Sequence, residues 1–572
     1  MLTSHSRAAC RRGVAVAAVL MLATACSFGG GSSKDSHSSI TMEYQNFPIL
    51  DPQRVTWGMW LSASGLYEGL IELSPDGRSA NPGTASSWDL SPDHRTYTFH
   101  LRSSQWSDGS AVTADDFVFA YKRMLTPSSS QAGITQGAIS YLPGIDIKGA
   151  VEYQAGTVKD WSQVGIKAPD PTTLVVTLNQ PNADFLLDLA HPSMMPLPEK
   201  VLTAHPQDWQ TPRQWVGNGP YVVSKWTVNS SMVLTKNDKY FDAKDVAIKQ
   251  ITLKLSEDEG LRNSALHYKN GEVDIAPLQQ QDIREFASDP AKAKDVVSIP
   301  SFLSSYLAVL HSKNPILDDV RVREALSLGM DRTAVAKACS GCTASYSLLP
   351  SIVDGSKDTS ITENLDQAKA LLAAAGHPNG QGMPVVHLLL SDSVLEPVME
   401  AVADNWQRNL GLHAKVDMVD AGLYVDRRLK LQGADYVGFY AGSFSTVATP
   451  RAWATVVWNP MFTQQFSLSG ADWQKFTAAG GPKGQTPQQF LDQHASPAAN
   501  QFAQLAEQAQ QQVDATKAAA LYTQASKVRE ETYLFLPTVC LDGDYLVRPG
   551  ITGVDKHFGF LLPFSLKALK KR

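Results

Sequence analysis

QWSDGSAVTADDFVFAYKRM, residues Gln105–Met124, places three aspartates close together. Adjacent carboxylates such as Asp115 and Asp116 perform acid–base chemistry in some proteins and begin a helix in others. Residues 107–109, Ser-Asp-Gly, are a turn signal, because Asp accepts from nearby amides and Gly takes positive φ. Thr113 then stands at an N-cap with Asp116 three residues later, which is the spacing of a capping box. The stretch is therefore predicted to be a turn followed by a helix.

The residues after the cap and the flanking segments predict a mixed fold. Apolar residues recur at helical spacing after the cap, which indicates one buried helix face: Phe117, Ala120, Tyr121 and Met124. Alternating runs such as TYTFHLR, TLVVTLN, YVVSKWTV, SMVLTKN and KQITLKL predict strands in the first half of the chain. Helical patterns dominate afterwards, several of them closed by Gly. The fold class is therefore predicted to be α/β.

Composition excludes several classes of function. The chain has 572 residues, 43% of them hydrophobic, which is enough for large cores and about two to four domains. The formal net charge is only −6 and basic residues are scattered, so no nucleic-acid partner is predicted. The 12 Trp and 17 Tyr residues suit a ligand cleft, although most are expected in the core.

The N-terminus predicts export. Arg11 and Arg12 precede GVAVAAVLMLATA (residues 13–25), which is too short to span a bilayer but has the length of a secretory signal. The run ends in LATAC, which resembles the lipobox at which signal peptidase II cleaves before a lipidated cysteine, with Ala23 where leucine is usual. Cys26 is therefore the predicted lipid anchor on the extracytoplasmic face of the cell membrane. An ordinary signal peptide and twin-arginine export are the alternatives.

Three cysteines remain in the mature chain. Cys339 and Cys342 have CxxC spacing, which suits a disulfide loop, a redox pair or half of a zinc site. The sequence contains no second CxxC or paired-histidine element to complete a tetrahedral zinc site, so no metal is predicted. In an exported protein the spacing favours a disulfide, with Cys540 as the competing partner for either sulfur.

The sequence contains no catalytic constellation. It has no GxSxG elbow, P-loop or HExxH motif, and its 13 histidines are dispersed without metal-ligand spacing. We therefore predict that the protein is not an enzyme and uses no cofactor. An exported hydrolase is the alternative from a different class.

The opening stretch belongs to a longer segment, TYTFHLRSSQWSDGSAVTADDFVFAYKRM (residues 96–124). This segment resembles the hallmark of the family 5 extracellular solute-binding proteins, the peptide, nickel and related receptors of ABC importers. Further motifs follow in family order: GNGPYVVSKWTVNSSMVLTKNDKYFDA, YKNGEVDIAPL, NPILDDVRVREALSLGMDRTAVAK, NLDQAKALLAAAGHPNG and LGLHAKVDMVDAGLYVDR. The resemblance covers nearly the whole mature chain, and LDP, HPSMMPLPE and LGMDR are most similar to the oligopeptide-binding branch.

The resemblance implies an architecture. It is the periplasmic-binding-protein-like fold of the class II, cluster C type, in which two α/β lobes are hinged around a cleft and a third, extra domain is added. The predicted divisions are a signal peptide at 1–25, a Gly/Ser-rich tether at 26–39, a discontinuous first lobe at 40–60, 190–300 and 540–572, an extra domain at 61–189, and a second lobe at 301–539. Arg321 and Arg323 are expected to pair with Asp318 or Asp319 and not with ligand.

The resemblance also implies where a ligand binds. In the oligopeptide receptors the peptide lies extended and adds a strand, so that affinity comes from main-chain bonds that every peptide shares. The corresponding segments here are Gln45, Asn46 and Phe47, and then Tyr440, Ala441, Gly442, Ser443 and Phe444. The family's peptide receptors have an aspartate in the second segment that pairs with the peptide amine, whereas this chain has Phe444 or a neighbour there. An N-blocked peptide, a non-peptide ligand, or a peptide amine bound by another acid therefore stays open.

The implied mechanism is capture by closure. A monomer would close its lobes on a peptide or other small ligand and deliver it to ABC permease subunits in the membrane. A sensor of signal peptides would share the fold, and the sequence does not separate the two roles.

Overall fold

The computed structural model describes most of the chain after residue 37. The described residues are 38–45, 50–53, 61, 65–126, 146–256, 261, 263–339, 341–350, 353, 359, 361–391, 395–431, 434–444, 451, 472, 475, 490, 493–554 and 564–572. The predicted signal peptide, Cys26, Asn46 and Phe47 lie outside them. Within the described residues, no helix has the length and apolar character needed to cross a membrane.

Strands and helices alternate along the chain. The strands are β1 (Ser39–Gln45), β2 (Ile71–Leu73), β3 (Ala80–Pro82), β4 (Ala85–Leu90), β5 (Thr96–Leu101), β6 (Ile166–Asp170), β7 (Thr173–Thr177), β8 (Tyr221–Thr227), β9 (Ser231–Lys236), β10 (Gln250–Ser256), β11 (Ile275–Pro277), β12 (Val296–Leu310), β13 (Cys342–Ala344), β14 (Val386–Leu390), β15 (Ala414–Met418), β16 (Gly438–Phe444), β17 (Phe535–Val547), β18 (Ile551–Thr552) and β19 (Lys570–Lys571). The helices are α1 (Ala114–Leu125), α2 (Ala150–Gln154), α3 (Phe185–Asp188), α4 (Glu199–Ala204), α5 (Ser264–Lys269), α6 (Gln280–Ser288), α7 (Pro290–Ala293), α8 (Val320–Leu328), α9 (Arg332–Ala336), α10 (Leu365–Ala374), α11 (Glu396–Leu410), α12 (Ala421–Leu431), α13 (Pro497–Gln510) and α14 (Ala515–Glu530).

One mixed sheet of 11 strands organises the fold. Its order is β15-β14-β16-β12-β17-β11-β1-β10-β9-β8, with β13 added beside β17. The long strands β12 and β17 pair antiparallel in the middle of this order, and their register is irregular between Ile299 and Leu303. We call β12 and β17 the crossing strands.

The apolar core is divided along the crossing strands. Ile299 and Val547, at one end of the pair, pack in a core built from residues 40–299 and 547–569. Leu307 and Leu536, at the other end, pack in a separate core built from residues 307–539. The fold therefore has two α/β lobes joined by the crossing strands, and we name them the first and second lobes in this order.

Part of the first lobe has a sheet of its own. Four antiparallel strands in the order β4-β5-β7-β6 lie within residues 61–189, and α1 lies within the same range. The apolar residues of this range share one cluster with those of residues 190–255, so the two regions are packed together. The predicted domain boundaries stay predictions.

The opening stretch forms the predicted turn and helix. Gly109 takes a φ of 93°, and Asp108 Oδ1 accepts from the Ser110 amide at 2.8 Å. Asp116 Oδ2 accepts from the backbone amide of Thr113 at 2.8 Å and from Trp106 Nε1 at 3.3 Å. The predicted face of α1 is buried: Phe117, Ala120, Tyr121 and Met124. These carboxylates are structural.

The predicted ion pairs of α8 are correct for one arginine only. Arg321 pairs with Asp319, with 2.6 Å between Nη2 and Oδ2. Arg323 is buried and donates to main-chain carbonyl oxygens, among them those of Leu317 at 2.7 Å and Thr532 at 3.0 Å. Its guanidinium therefore ties α8 to the segment that precedes β17.

Candidate functional site

The strand β16, which we call the ligand strand, is fully paired with a crossing strand on one edge and partly open on the opposite edge. It pairs along its full length with β12, from Gly438 opposite Leu310 to Phe444 opposite Ser304. Its other edge pairs with β14 only as far as Tyr440. No described strand pairs with residues 441–444 on that edge, so main-chain groups there are placed to accept an added strand.

The ligand strand and β1 are directed at the same region. β1 is parallel to β11, β11 is antiparallel to β17, and β17 is antiparallel to β12, so β1 and β12 run in the same direction. The ligand strand is antiparallel to β12. Gln45 ends β1 in the first lobe and Phe444 ends the ligand strand in the second. The ends of β1 and of the ligand strand therefore point toward the junction of the lobes from opposite lobes.

Buried side chains in the middle of the ligand strand are used for packing. Tyr440 and Ala441 are 1% and 4% exposed and lie in the core of the second lobe. The Arg428 guanidinium stacks 4.8 Å from the centre of the Tyr440 ring, and Tyr424 Oη donates to the Ala441 carbonyl oxygen. These residues hold the strand in place. Tyr424 already occupies the Ala441 carbonyl oxygen, so a ligand would use other main-chain groups of residues 441–444.

Gly442 is required by the packing of Tyr306. The two residues are opposite each other on the ligand strand and β12. A Cβ at position 442 would overlap the Tyr306 phenol. Tyr306 is 2% exposed and packs edge-on against Tyr440, with 6.4 Å between ring centres. The absence of a side chain at this position thus lets an aromatic ring lie against the strand backbone.

A buried ionic cluster joins the two lobes. Arg451 lies seven positions after the end of the ligand strand and is 3% exposed. Its Nη2 donates to both carboxylate oxygens of Asp146, at 2.8 and 2.6 Å, and its Nη1 donates to Asp188 Oδ2 at 2.7 Å. Asn182 Nδ2 lies 3.2 Å from an oxygen of each aspartate. We call these four residues the interlobe cluster, because both aspartates belong to the first lobe.

Burial gives the interlobe cluster an unusual protonation behaviour. The pKa of Asp188 is raised to about 7, chiefly by burial; the Arg451 charge acts to lower this pKa, and the nearby Asp146 and Asp184 charges act to raise it. One guanidinium faces two carboxylates here, so a proton on Asp188 removes the excess negative charge. A neighbouring contact between the lobes is neutral, Gln180 Nε2 to Gln510 Oε1 at 2.6 Å.

The cysteines are close to the crossing strands. Cys339 and Cys342 form a disulfide with 5.5 Å between their Cα atoms. β13 begins at Cys342 and pairs with β17, where Thr343 lies opposite the buried Cys540. The disulfide thus closes a tight loop that leads into a strand alongside β17.

The described residues contain no group of three or more His, Cys, Asp or Glu side chains arranged to hold a metal ion.

Sequence reasoning reached the ligand strand through resemblance but missed the interlobe cluster. The contacts of Arg451 join residues more than 260 positions apart, and Asp146 and Asp188 have no distinguishing local pattern. Only the isolated Arg after Pro450 in an otherwise uncharged segment could have drawn attention to it.

Two lobes joined by crossing strands, with an open strand edge directed at their junction, define the class of periplasmic-binding-protein-like receptors. The model of the bacterial extracellular solute-binding proteins, family 5 middle region, matches residues 79–474. This chain belongs to that family.

Individual relatives show the same similarity. The periplasmic oligopeptide-binding protein OppA of Escherichia coli K12 is 32% identical over 375 residues, covering 64% of this chain and 67% of the relative. The probable deoxycholate-binding periplasmic protein YgiS of the same organism is 32% identical over 392 residues, covering 66% and 70%. The structure of Haemophilus influenzae OppA in complex with RPPGFSPFR has a TM-score of 0.71 at 22% identity, covering 94% of this chain and 99% of that one.

Proposed function

We propose that this protein is the extracytoplasmic substrate-binding component of an ABC importer and that its ligands are oligopeptides. It is a receptor and not a catalyst. The observation that carries the proposal is the open edge of the ligand strand at residues 441–444, where an extended peptide would form main-chain hydrogen bonds. The oligopeptide-binding relatives support the same ligand class.

Capture would proceed by closure of the lobes. A peptide added to the ligand strand would be covered by the segment around Gln45, Asn46 and Phe47 from the first lobe. The interlobe cluster would form in the closed arrangement and break on opening, because its partners belong to different lobes. The crossing strands would serve as the hinge, and the closed protein would dock on permease subunits in the membrane.

A non-peptide or N-blocked ligand is the second candidate. It is favoured by the sequence of the ligand strand, GFYAGSF, which contains no carboxylate to pair with a peptide amine. The relative that is probably deoxycholate-binding matches this chain at the same 32% identity as the oligopeptide-binding relative. A role as a signal-peptide sensor would use the same site.

The test is native mass spectrometry of the protein purified from its own host. Retained oligopeptides would give a ladder of bound masses that differ by amino-acid residues, and tandem fragmentation would read their sequences. A single bound species whose fragments contain no amino acids would overturn the peptide assignment and support the second candidate.

Cys26 would anchor the mature protein through a lipid on its thiol. We predict that Cys26→Ser moves the protein from the membrane fraction to the soluble fraction, because serine lacks the thiol that would carry the anchoring lipid. Cys540→Ser is the matched control and should stay with the membranes. Membrane retention of the Cys26→Ser variant would contradict the lipid anchor.

A further inference from the structure

Arg529, in the last turn of α14, has a buried guanidinium that forms no hydrogen bond with any described residue, although the Glu530 charge is close enough to act on it. Its side chain is 0% exposed. No described residue accepts a hydrogen bond from Nε, Nη1 or Nη2. A guanidinium carries five N–H donors, and burying it without acceptors costs several kcal/mol. Within the part of the chain that the structure describes, an acceptor for this guanidinium is therefore missing.

A second buried arginine shows what a structural guanidinium looks like in this fold. Arg332 is also 0% exposed, and burial lowers the pKa of both Arg332 and Arg529 to about 10. Its donors are bonded: Nε to the Pro537 carbonyl at 2.9 Å, Nη1 to the Ser327 carbonyl at 3.0 Å, and Nη2 to Ser327 Oγ at 3.0 Å. Arg529 has the same burial and none of these contacts within the described chain.

The nearest carboxylate in sequence is committed elsewhere. Glu530 accepts from Ser347 Oγ at 2.6 Å and from the Leu348 amide at 3.0 Å with one oxygen. Its other oxygen accepts from Thr359 Oγ1 at 3.0 Å. Glu530 therefore holds Ser347, Leu348 and Thr359 and does not neutralise Arg529 by direct hydrogen bonding.

Further unsatisfied polar atoms lie on the elements that face Arg529. Ser526 is one turn earlier on α14, and its buried Oγ has no partner among the described residues. Ser304 Oγ, equally without a described partner, is two positions from Tyr306 on the same face of β12. Tyr306 contributes to the electrostatics of Arg529 and packs in one cluster with Ala525 of α14. Ser304 is also the residue opposite the end of the ligand strand.

We propose that Arg529, with the hydroxyls of Ser526 and Ser304, forms an anion subsite behind the end of the ligand strand, and that this subsite binds a carboxylate of the ligand. A carboxylate accepts two parallel hydrogen bonds from one guanidinium, and the serine hydroxyls are small donors that supply further bonds. The inference deepens the proposed function and rests on it, since it specifies which chemical group a captured ligand must bring.

The test compares ligands that differ only in this group. The probes are a degenerate tetrapeptide pool with free carboxyl ends and without Asp or Glu, the same pool amidated, an amidated pool that contains Glu, and deoxycholate as a non-peptide carboxylate. Binding is measured by native mass spectrometry and by thermal shift on wild type, Arg529→Met and Arg529→Lys. The amidated pools distinguish a terminal carboxylate from an acidic side chain.

We expect wild type to prefer the free-acid pool or the Glu-containing pool over the amidated pool. Arg529→Met should weaken binding of the preferred pool roughly 30-fold or more, as the loss of one partner of a buried charge pair does. Arg529→Lys should keep part of the preference for the carboxylate-containing pool that Arg529→Met loses, because lysine keeps the positive charge. The ligand-free melting temperature of Arg529→Met should equal or exceed that of wild type, because an unpaired buried charge has been removed. Arg332→Met, the matched control, should melt lower.

Equal binding of all three pools by wild type, the free-acid pool, the amidated pool and the Glu-containing amidated pool, would overturn the subsite while leaving peptide binding intact. An unchanged preference in Arg529→Met, or a ligand-free melting temperature that falls as far as in Arg332→Met, would overturn it as well. Binding of deoxycholate but of no peptide pool, abolished by Arg529→Met, would support the subsite and overturn the peptide function. Absence of binding by every probe would overturn both.

Discussion

Gly442 lets the Tyr306 phenol lie against the backbone of the ligand strand, so a methyl group at this position tests the packing behind the site. We predict that Gly442→Ala destabilises the protein by about 1–3 kcal/mol, as overpacking of a filled core does. It should also weaken ligand binding, because Tyr306 must move and the strand with it. Chemical denaturation and the peptide-pool assay measure the two effects. Normal stability with normal binding would show that Tyr306 is free to move aside.

Asp188 should make the stability of the closed protein depend on pH near neutrality. Its pKa is raised to about 7 in the structure, whereas a solvated Asp titrates near 4. Between these values the folded, closed state holds a proton that the unfolded state does not. Stability from Asp188 is therefore greatest at low pH and decreases as the pH rises through about 7.

Asp188→Asn removes this contribution and isolates it from other titrating groups. The buried His191, whose pKa burial lowers to about 4, acts in the opposite sense, since unfolding lets it take up a proton below pH 6.5. It is present in both proteins and cancels in the difference. Melting temperatures from pH 5 to 8 should show wild type losing stability relative to Asp188→Asn as the pH rises. Parallel curves would mean that Asp188 does not titrate in this range.

At the scale of secondary-structure elements, α1 settles whether the opening aspartates are catalytic or structural. We predict that Asp116→Ala destabilises the protein by about 1–2 kcal/mol, because Thr113 and Trp106 lose their acceptor. Ligand affinity should not change. The exposed Asp115 is the matched control, and Asp115→Ala should cost less than about 0.5 kcal/mol. A selective loss of ligand binding in Asp116→Ala would contradict the structural assignment.

Local pattern was sufficient to predict elements whose two faces differ. β5, β7, β8, β9 and β10 were all predicted from alternation, because each has a buried face and a more polar one. α1 was predicted from its cap and its apolar spacing. These features are set by neighbours along the chain, and so they are visible in the sequence.

Contacts between distant segments could not be predicted in this way. The pairing of Arg451 with Asp146 depends on which loops the two lobes bring together, and neither residue differs locally from a surface charge. The isolation of Arg529 is likewise invisible in sequence, since Glu530 and Lys527 beside it suggest an ordinary charged helix end. The location of the ligand strand was predicted from family resemblance and not from periodicity.

At the scale of the whole molecule, Arg451 should control how readily the lobes stay closed. Arg451→Met leaves Asp146 and Asp188 buried without their cation in the closed arrangement. This destabilises the closed arrangement by about 3–5 kcal/mol, and opening relieves the cost because it exposes both carboxylates to water. We therefore predict at least a tenfold weaker apparent affinity for the peptide pool, since the binding-competent state is less populated.

Arg408→Met is the control for removing an arginine. Arg408 pairs with Asp404 on the surface of α11, where both side chains are 63% exposed, and such pairs contribute less than about 1 kcal/mol. Its affinity should match wild type. An Arg451→Met protein with wild-type affinity would mean that the interlobe cluster does not stabilise the ligand-bound state.

Capture of peptide by closure of the two lobes is tested most directly by small-angle X-ray scattering. Ligand-stripped protein is measured with and without the tetrapeptide pool, at a concentration where native mass spectrometry shows bound peptide. We expect the radius of gyration of wild type to decrease when peptide is bound. The radius of gyration of Arg451→Met should decrease less at the same pool concentration. Superimposable curves for peptide-bound and peptide-free wild type would contradict capture by closure.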